Sequence, residues 1–198
     1  MWGALDGAGI LYVPRSYRVV SPAPLIVALH GGGGQAGFWT RLFEICDARG
    51  IILLAPEARA RTWDGVHGMM GPDVRFIDSA LSFTFERCAV QADHIALMGF
   101  SDGASYALSL GPSNGDLFTH LIAFSPGFST PEEPIVGSPQ VFVSHGTLDR
   151  SLPVEMSRDA IVPMFQMDGY EIHYEEFSGV HEMPPEVVTR AFDWFLGS

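Results

Sequence analysis

The sequence predicts a single α/β domain in which a mostly parallel sheet of about seven strands is flanked by helices on both faces. Three observations carry that expectation. The chain has 198 residues, enough for one large core and too few for two ordinary ones, so residues 1–198 are read as one domain. Short β-branched apolar runs alternate with segments whose apolar residues recur every three or four positions. The central runs are almost continuously apolar, as strands buried on both faces must be.

The strand runs are Ile10 to Val13, Leu25 to Leu29, Ile51 to Ala55, His94 to Met98, Leu121 to Phe124, Val141 to Ser144 and Tyr170 to Tyr174. Helical patterns occupy most of the gaps. Phe38 to Arg49 is the first. Pro72 suits a first helical turn, and Val74, Ile77, Leu81, Phe85 and Cys88 then form one apolar stripe. Asp102 to Leu110, Pro153 to Asp168 and Pro185 to Leu196 complete the set, with Gly169 closing the fourth helix and Pro163 expected to bend or split it. In such sheets ligands bind where loops leave the carboxyl ends of the strands, so chemistry is sought after Leu29, Ala55, Met98, Phe124, Ser144 and Tyr174.

Composition removes several function classes. Eleven basic residues stand against 23 acidic ones, a net charge of −12, which repels nucleic acid and anionic membrane surfaces. All the basic residues are arginines. Without lysine there is no Walker-A loop, no Schiff base and no serine–lysine dyad. With 47% apolar and only 17% charged residues the chain is not disordered, and apolar surface is available for a ligand or a second copy, so a homodimer is an admissible assembly. No run approaches the roughly 20 apolar residues that span a bilayer, and Met1 to Ile10 has no export-signal pattern, so a cytoplasmic location is expected. Cys46 and Cys88 fall in helical patterns without metal-ligand spacing and read as reduced, buried apolar residues.

The strand His94 to Met98 runs into Gly99-Phe100-Ser101-Asp102-Gly103 and then directly into a helix. G-x-S-x-G between strand and helix is a nucleophile elbow, whose tight turn admits only small residues on either side of the serine. A bland alternative, a serine N-cap among chance glycines, explains the serine but not the strand–turn–helix context. A serine hydroxyl needs a base, and the base needs an acid to orient it. With the chain order Ser, Asp or Glu, His, the candidate bases are His145, His173 and His181. His145 would require an upstream acid at Asp116, Glu132 or Glu133, and His173 alternates onto the polar side of a strand. His181 lies beyond the carboxyl end of that strand, and Asp149 lies just past the neighbouring one, so Ser101, Asp149 and His181 are the expected catalytic set. Glu155 and Asp159 are the alternative acids, on the flank of a helix.

Leu25 to Leu29 leads into His30-Gly31-Gly32-Gly33-Gly34, where bare backbone N–H groups can face a ligand. Gly32 or Gly33, together with the amide of Asp102, is the expected oxyanion hole. A rival reading takes Gly32-x-Gly34-x-x-Gly37, with Glu57 beyond it, as a dinucleotide fingerprint, but it leaves the elbow, Asp149 and His181 as coincidences. The loops Pro56 to Gly71 and Ser125 to Ser138 should border the serine, with Trp63, Met69, Met70 and Phe128 as candidate pocket residues and Arg59 or Arg61 able to meet an anionic group. No metal spacing is present, since His181-Glu182-Met183-Pro184-Pro185 lacks the second histidine of a zinc helix, and no cofactor is expected.

The order of His30-Gly31-Gly32-Gly33-Gly34, Gly99-Phe100-Ser101-Asp102-Gly103, His145-Gly146-Thr147-Leu148-Asp149 and Gly179-Val180-His181-Glu182 resembles small α/β-hydrolase esterases of the phospholipase/carboxylesterase type, and related polyester-depolymerase-like and feruloyl-esterase-like proteins. The resemblance runs from about Gly9 to Leu196. It implies an α/β-hydrolase fold and a serine esterase, with Ser101, Asp149 and His181 matching the family's triad; the 14 residues Ser125 to Ser138 are too few for a helical lid, so no lid domain and small or short-chain carboxylic esters are expected. Lysophospholipase or acyl-thioesterase activity, or a noncatalytic hydrolase-fold receptor, are the alternatives. Three departures stand out: Asp102 where a neutral residue is common, Ala104 where glycine is frequent, and no sign of the first strands of the full fold.

Overall fold

A computed structural model describes residues 2–4, 8–67 and 71–197. Its eight strands are β1 (Trp2–Ala4), β2 (Gly9–Tyr12), β3 (Ala23–Leu29), β4 (Ile52–Pro56), β5 (Val90–Phe100), β6 (His120–Phe124), β7 (Gln140–Gly146) and β8 (Ile172–Phe177), in the sheet order β1-β2-β4-β3-β5-β6-β7-β8. β1 pairs antiparallel with β2 and β2 antiparallel with β4, and every other pairing is parallel. The expectation that the first strands are missing is therefore corrected. Trp2–Ala4 is only three residues long and carries no β-branched side chain, so it leaves no strand pattern in the sequence.

The helices are α1 (Phe43–Arg49), α2 (Pro72–Phe85), α3 (Asp102–Leu110), α4 (Val162–Met167) and α5 (Pro185–Phe195). Two of the expected helices are compound. A 3-10 segment, Ala36–Leu42, precedes α1, and a π turn, Met156–Ile161, precedes α4. Pro163 has no N–H for an intrahelical bond, and the helix changes pitch just before it.

Period-two alternation along the central strands divides the core in two. Leu25, Val27 and Leu29 of β3 face Ile77 and Leu81 of α2, Ala104 and Leu108 of α3, and Phe165 of α4. Ile26 and Ala28 face the other way, toward Trp39 and Cys46 beside α1 and toward Val187, Ala191 and Phe192 of α5. Both cysteines are free and buried, and burial pushes the Cys46 thiol up to about 12. Among the described residues no helix is long and apolar enough to cross a membrane.

At the amino end of β6, His120 sits under α5 with its ring 5.2 Å from Trp194 and 5.0 Å from Phe195. Burial first, and the nearby His94 second, push its pKa down to about 4. An unfolded histidine titrates near 6.5, so as the pH falls through that value the unfolded chain takes up a proton that the folded chain refuses until about 4. Stability is therefore full above pH ~6.5 and declines between there and pH ~4. In urea unfolding across that window, His120→Asn should lose less stability than the wild type; equal slopes would exclude His120 as a source of the acid sensitivity.

Candidate active site

The turn from β5 into α3 is crowded by backbone. A Cβ on Gly99 would lie 2.1 Å from the Gly103 carbonyl oxygen, and one on Gly103 would lie 2.1 Å from the Leu29 carbonyl oxygen. Only glycine fits at either position. Ser101, between them, is held at φ 57°, ψ −123°, a conformation costing on the order of 1–3 kcal/mol in a non-glycine residue. Its N–H donates to the Phe124 carbonyl at 3.0 Å and its carbonyl accepts from Ala104 and Ser105, so the strain is fixed from both sides. Among the described residues the Ser101 hydroxyl has no protein hydrogen-bond partner.

Asp149 and His181 come together from the loops after β7 and β8. His181 Nδ1–H donates to Asp149 Oδ2 at 2.5 Å, which leaves Nε2 with a free lone pair. Asp149 Oδ1 accepts from the amides of Ser151 at 2.8 Å and Leu152 at 2.9 Å. Burial raises the carboxyl pKa, but the Leu152 amide, the His181 ring and the Ser151 amide together outweigh it, so the group lies below the usual carboxylate range and is charged. The His181 imidazole packs 4.8 Å from the ring of Phe100, the residue immediately before Ser101.

The other two candidate bases are placed elsewhere. His145 is fully buried with both nitrogens engaged. Nε2–H donates to the Leu152 carbonyl at 2.8 Å, so Nδ1 accepts from the Ser157 hydroxyl at 2.7 Å, and Nε2 also stands 3.3 Å from Asp149 Oδ2. His173 lies on β8, stacked on Phe142. Glu155 and Asp159 make no contact with His181; Glu155 is 3.9 Å from Arg158.

In the glycine loop the Gly33 N–H donates to the Arg61 carbonyl at 2.7 Å and the Gly34 N–H to the Gly31 carbonyl at 2.9 Å. The Gly33 N–H is thereby engaged elsewhere, and the Gly32 N–H has no partner among the described residues. His30 shapes this loop from below. Its Nε2 accepts from the Ala58 amide at 3.1 Å, so Nδ1–H donates to the Gly31 carbonyl at 2.9 Å.

Trp63 is fully buried, with Nε1–H donating to the His30 carbonyl at 2.7 Å, so its expected place in a substrate pocket is corrected: the indole supports the glycine loop. Met69 and Met70 lie outside the described residues. Phe128 is half-buried and, with Met156, Ile161 and Met164, lines a hollow of about 220 Å³. Sequence reasoning overlooked Thr62, whose hydroxyl donates to Asp102 Oδ2 at 2.7 Å, and the pair Asp64 and Asp73. Each accepts the other's backbone N–H, and Asp64 also accepts from the Tyr106 hydroxyl at 2.9 Å, which staples the long loop to α3. No periodicity marks such contacts; only acceptors in a lysine-free loop hinted at them. Among the described residues there is no cluster of side chains able to hold a metal ion.

No protein-family model matches the chain. Feruloyl esterase B of Thermothelomyces thermophilus is 32% identical over 119 residues, which is 54% of this chain and 40% of that protein. The chain thus spans less than half the length of the curated relatives it matches, 40% and 39%. Among solved structures, esterase PE8 superposes with a TM-score of 0.73 at 21% identity, over 96% of this chain and 98% of its own. The phospholipase/carboxylesterase of Dyadobacter fermentans superposes with a TM-score of 0.66 at 22% identity, over 96% of each chain. The chain has the α/β-hydrolase fold that these esterases share.

Proposed function

We propose that the chain is a serine esterase that hydrolyses small or short-chain carboxylic esters through an acyl-enzyme on Ser101. The observation that carries this reading is the Asp149–His181 bond beside a serine strained at an elbow, because it fixes the imidazole as the tautomer whose Nε2 can accept a proton. Rotation of the Ser101 hydroxyl toward Nε2 gives the general-base pair. As Oγ attacks the ester carbonyl, the proton moves to Nε2 and the imidazolium is stabilised by Asp149, which stays ionised. The carbonyl oxygen becomes an oxyanion facing the amides of Gly32 and Asp102, the latter at the amino end of α3 where the helix dipole favours negative charge. His181 then returns the proton to the leaving alcohol. Water, activated by the same nitrogen, releases the acid. The names of the relatives, feruloyl esterase and carboxylesterase, support ester bonds as the target.

Ser101→Ala should abolish turnover of p-nitrophenyl acetate and labelling by a fluorophosphonate probe while leaving the circular dichroism spectrum unchanged. Full labelling of that variant would place the nucleophile elsewhere, and an unlabelled wild type would favour a noncatalytic receptor. Asp149→Asn should lower kcat by about 10⁴-fold with little change in KM, since it reverses the tautomer of His181. A loss under about tenfold would reassign the acid.

Access to the serine follows from the segment after β6. Residues 125–138 contain no helix, and with Pro126, Gly127, Pro131 and Pro134 they form an irregular wall and not a cap. Rates on p-nitrophenyl esters should therefore fall from acetate and butyrate toward palmitate, without a jump at the micelle threshold. Interfacial activation would assign the covering role to another segment, the loop Pro56 to Gly71 first.

A further inference from the structure

Asp102 is the residue whose amide is placed in the oxyanion hole, and its side chain turns back toward the other donor. A Cβ on Gly32 would lie 2.3 Å from Asp102 Oδ2 and 3.2 Å from its carboxyl carbon, so the carboxylate is packed against the glycine that carries the uncommitted N–H. Thr62 holds it there through the 2.7 Å bond to Oδ2. A half-buried carboxylate thus forms part of the wall that joins the two amides. Among the described residues it makes no ion pair. Arg61, in the same loop as Thr62, is exposed, its Nε 3.7 Å from where a Cβ on Gly33 would be. Solvent screens an exposed guanidinium more than a carboxylate tethered in the wall. The formal net charge of the chain, −12 with Asp102 included, leaves the other charges net negative, so they add to the Asp102 field and do not oppose it.

We infer that Asp102 sets the charge selectivity of the site, so that it accepts esters with uncharged acyl groups and discriminates against those whose acyl group carries a carboxylate. This rests on the ester-hydrolase reading and names the substrate class within it. An acyl carboxylate brought to Ser101 meets a fixed like charge close to the reacting carbonyl, and the penalty acts on binding and on the transition state alike. One consequence follows for diesters of dicarboxylic acids. The first ester bond is cleaved, the product acid ionises, and the resulting monoester anion becomes the poorer substrate and accumulates.

The experiment compares kcat/KM for diethyl adipate and monoethyl adipate, followed by pH-stat at pH 7.5, in the wild type and in Asp102→Asn. Asparagine retains an oxygen for the Thr62 hydroxyl and removes the charge. The ratio of the two rates within one sample is independent of how much of the protein is folded. The monoester-to-diester ratio should rise by about tenfold in the variant, the scale of one unit charge acting across roughly 10 Å at an effective dielectric near 20. Raising the ionic strength from about 0.02 to about 0.5 M should raise the ratio by more in the wild type than in the variant, where only the diffuse net charge of the chain is left to screen. A ratio unmoved by the substitution, or a wild type that prefers the monoester, overturns the inference, the latter in favour of Arg61. A wild type that hydrolyses neither ester and is not labelled at Ser101 by a fluorophosphonate overturns the esterase reading, and this inference with it.

Discussion

The close approach of three backbone segments at the elbow governs the rest of the site. The Leu29 carbonyl at the end of β3 touches the space where Gly103 would carry a side chain, and Gly103 in turn fills the space above Gly99. β3 and β5 are paired through Leu29 and Gly99, so the sheet itself presses the glycine loop against the start of α3. That pressure keeps the glycine loop close to the start of α3, as the proposed oxyanion hole requires of Gly32 and Asp102. Hydrogen-bond donors aimed at one oxygen need placement within a few tenths of an ångström, and backbone held by a parallel sheet supplies that better than side chains on a free loop. The strained Ser101 is the cost, which the surrounding core of β3, β5 and α3 over-determines.

The second half of the proposed site is built on the opposite principle, with side chains tied down by polar bonds. Asp149 takes two amides on one oxygen and His181 on the other, while the buried His145 closes the loop by joining Leu152 to Ser157. Both Asp149 oxygens and both His145 nitrogens have partners, so the low dielectric strengthens the network without leaving an unsatisfied charge, and only His181 Nε2 is left open. The same bonds leave His145 with both nitrogens engaged.

The alternation of strands and helices, with helices on each face, was legible because it rests on apolar periodicity, and Ser101, Asp149 and His181 could be singled out because they follow strands at fixed offsets; the structure joins the last two by a hydrogen bond. What stayed hidden has a common physical character. Trp63 looked like a pocket aromatic since nothing in its neighbourhood reveals that its N–H seeks the His30 carbonyl. The choice between Gly32 and Gly33 depended on which amide meets the Arg61 carbonyl, a contact between residues far apart in the chain and set by the fold of a long loop. β1 was invisible because three residues without branching carry no pattern, and its place comes from the unpaired edge of β2.

His181 is carried by β8, the last strand at one edge of the sheet, where a strand is held from one side only. Its register with β7 runs unbroken from Val141↔Ile172 to Gly146↔Phe177. Beyond it the Thr147 amide donates to the Phe177 carbonyl and the Leu148 amide to the Gly179 carbonyl, carrying the pairing past the strand to within two residues of His181. A Cβ on Gly146 would lie 2.4 Å from the Val180 carbonyl oxygen, so glycine there is what lets the two loops meet. On the outside, Arg158 pairs with Glu176 and Arg190 with Glu175, both through two nitrogens. Exposed pairs of this kind add about 0–1 kcal/mol each to stability. Their larger effect is to put charge along an open edge, which disfavours pairing with another strand and keeps the histidine's support in a single arrangement.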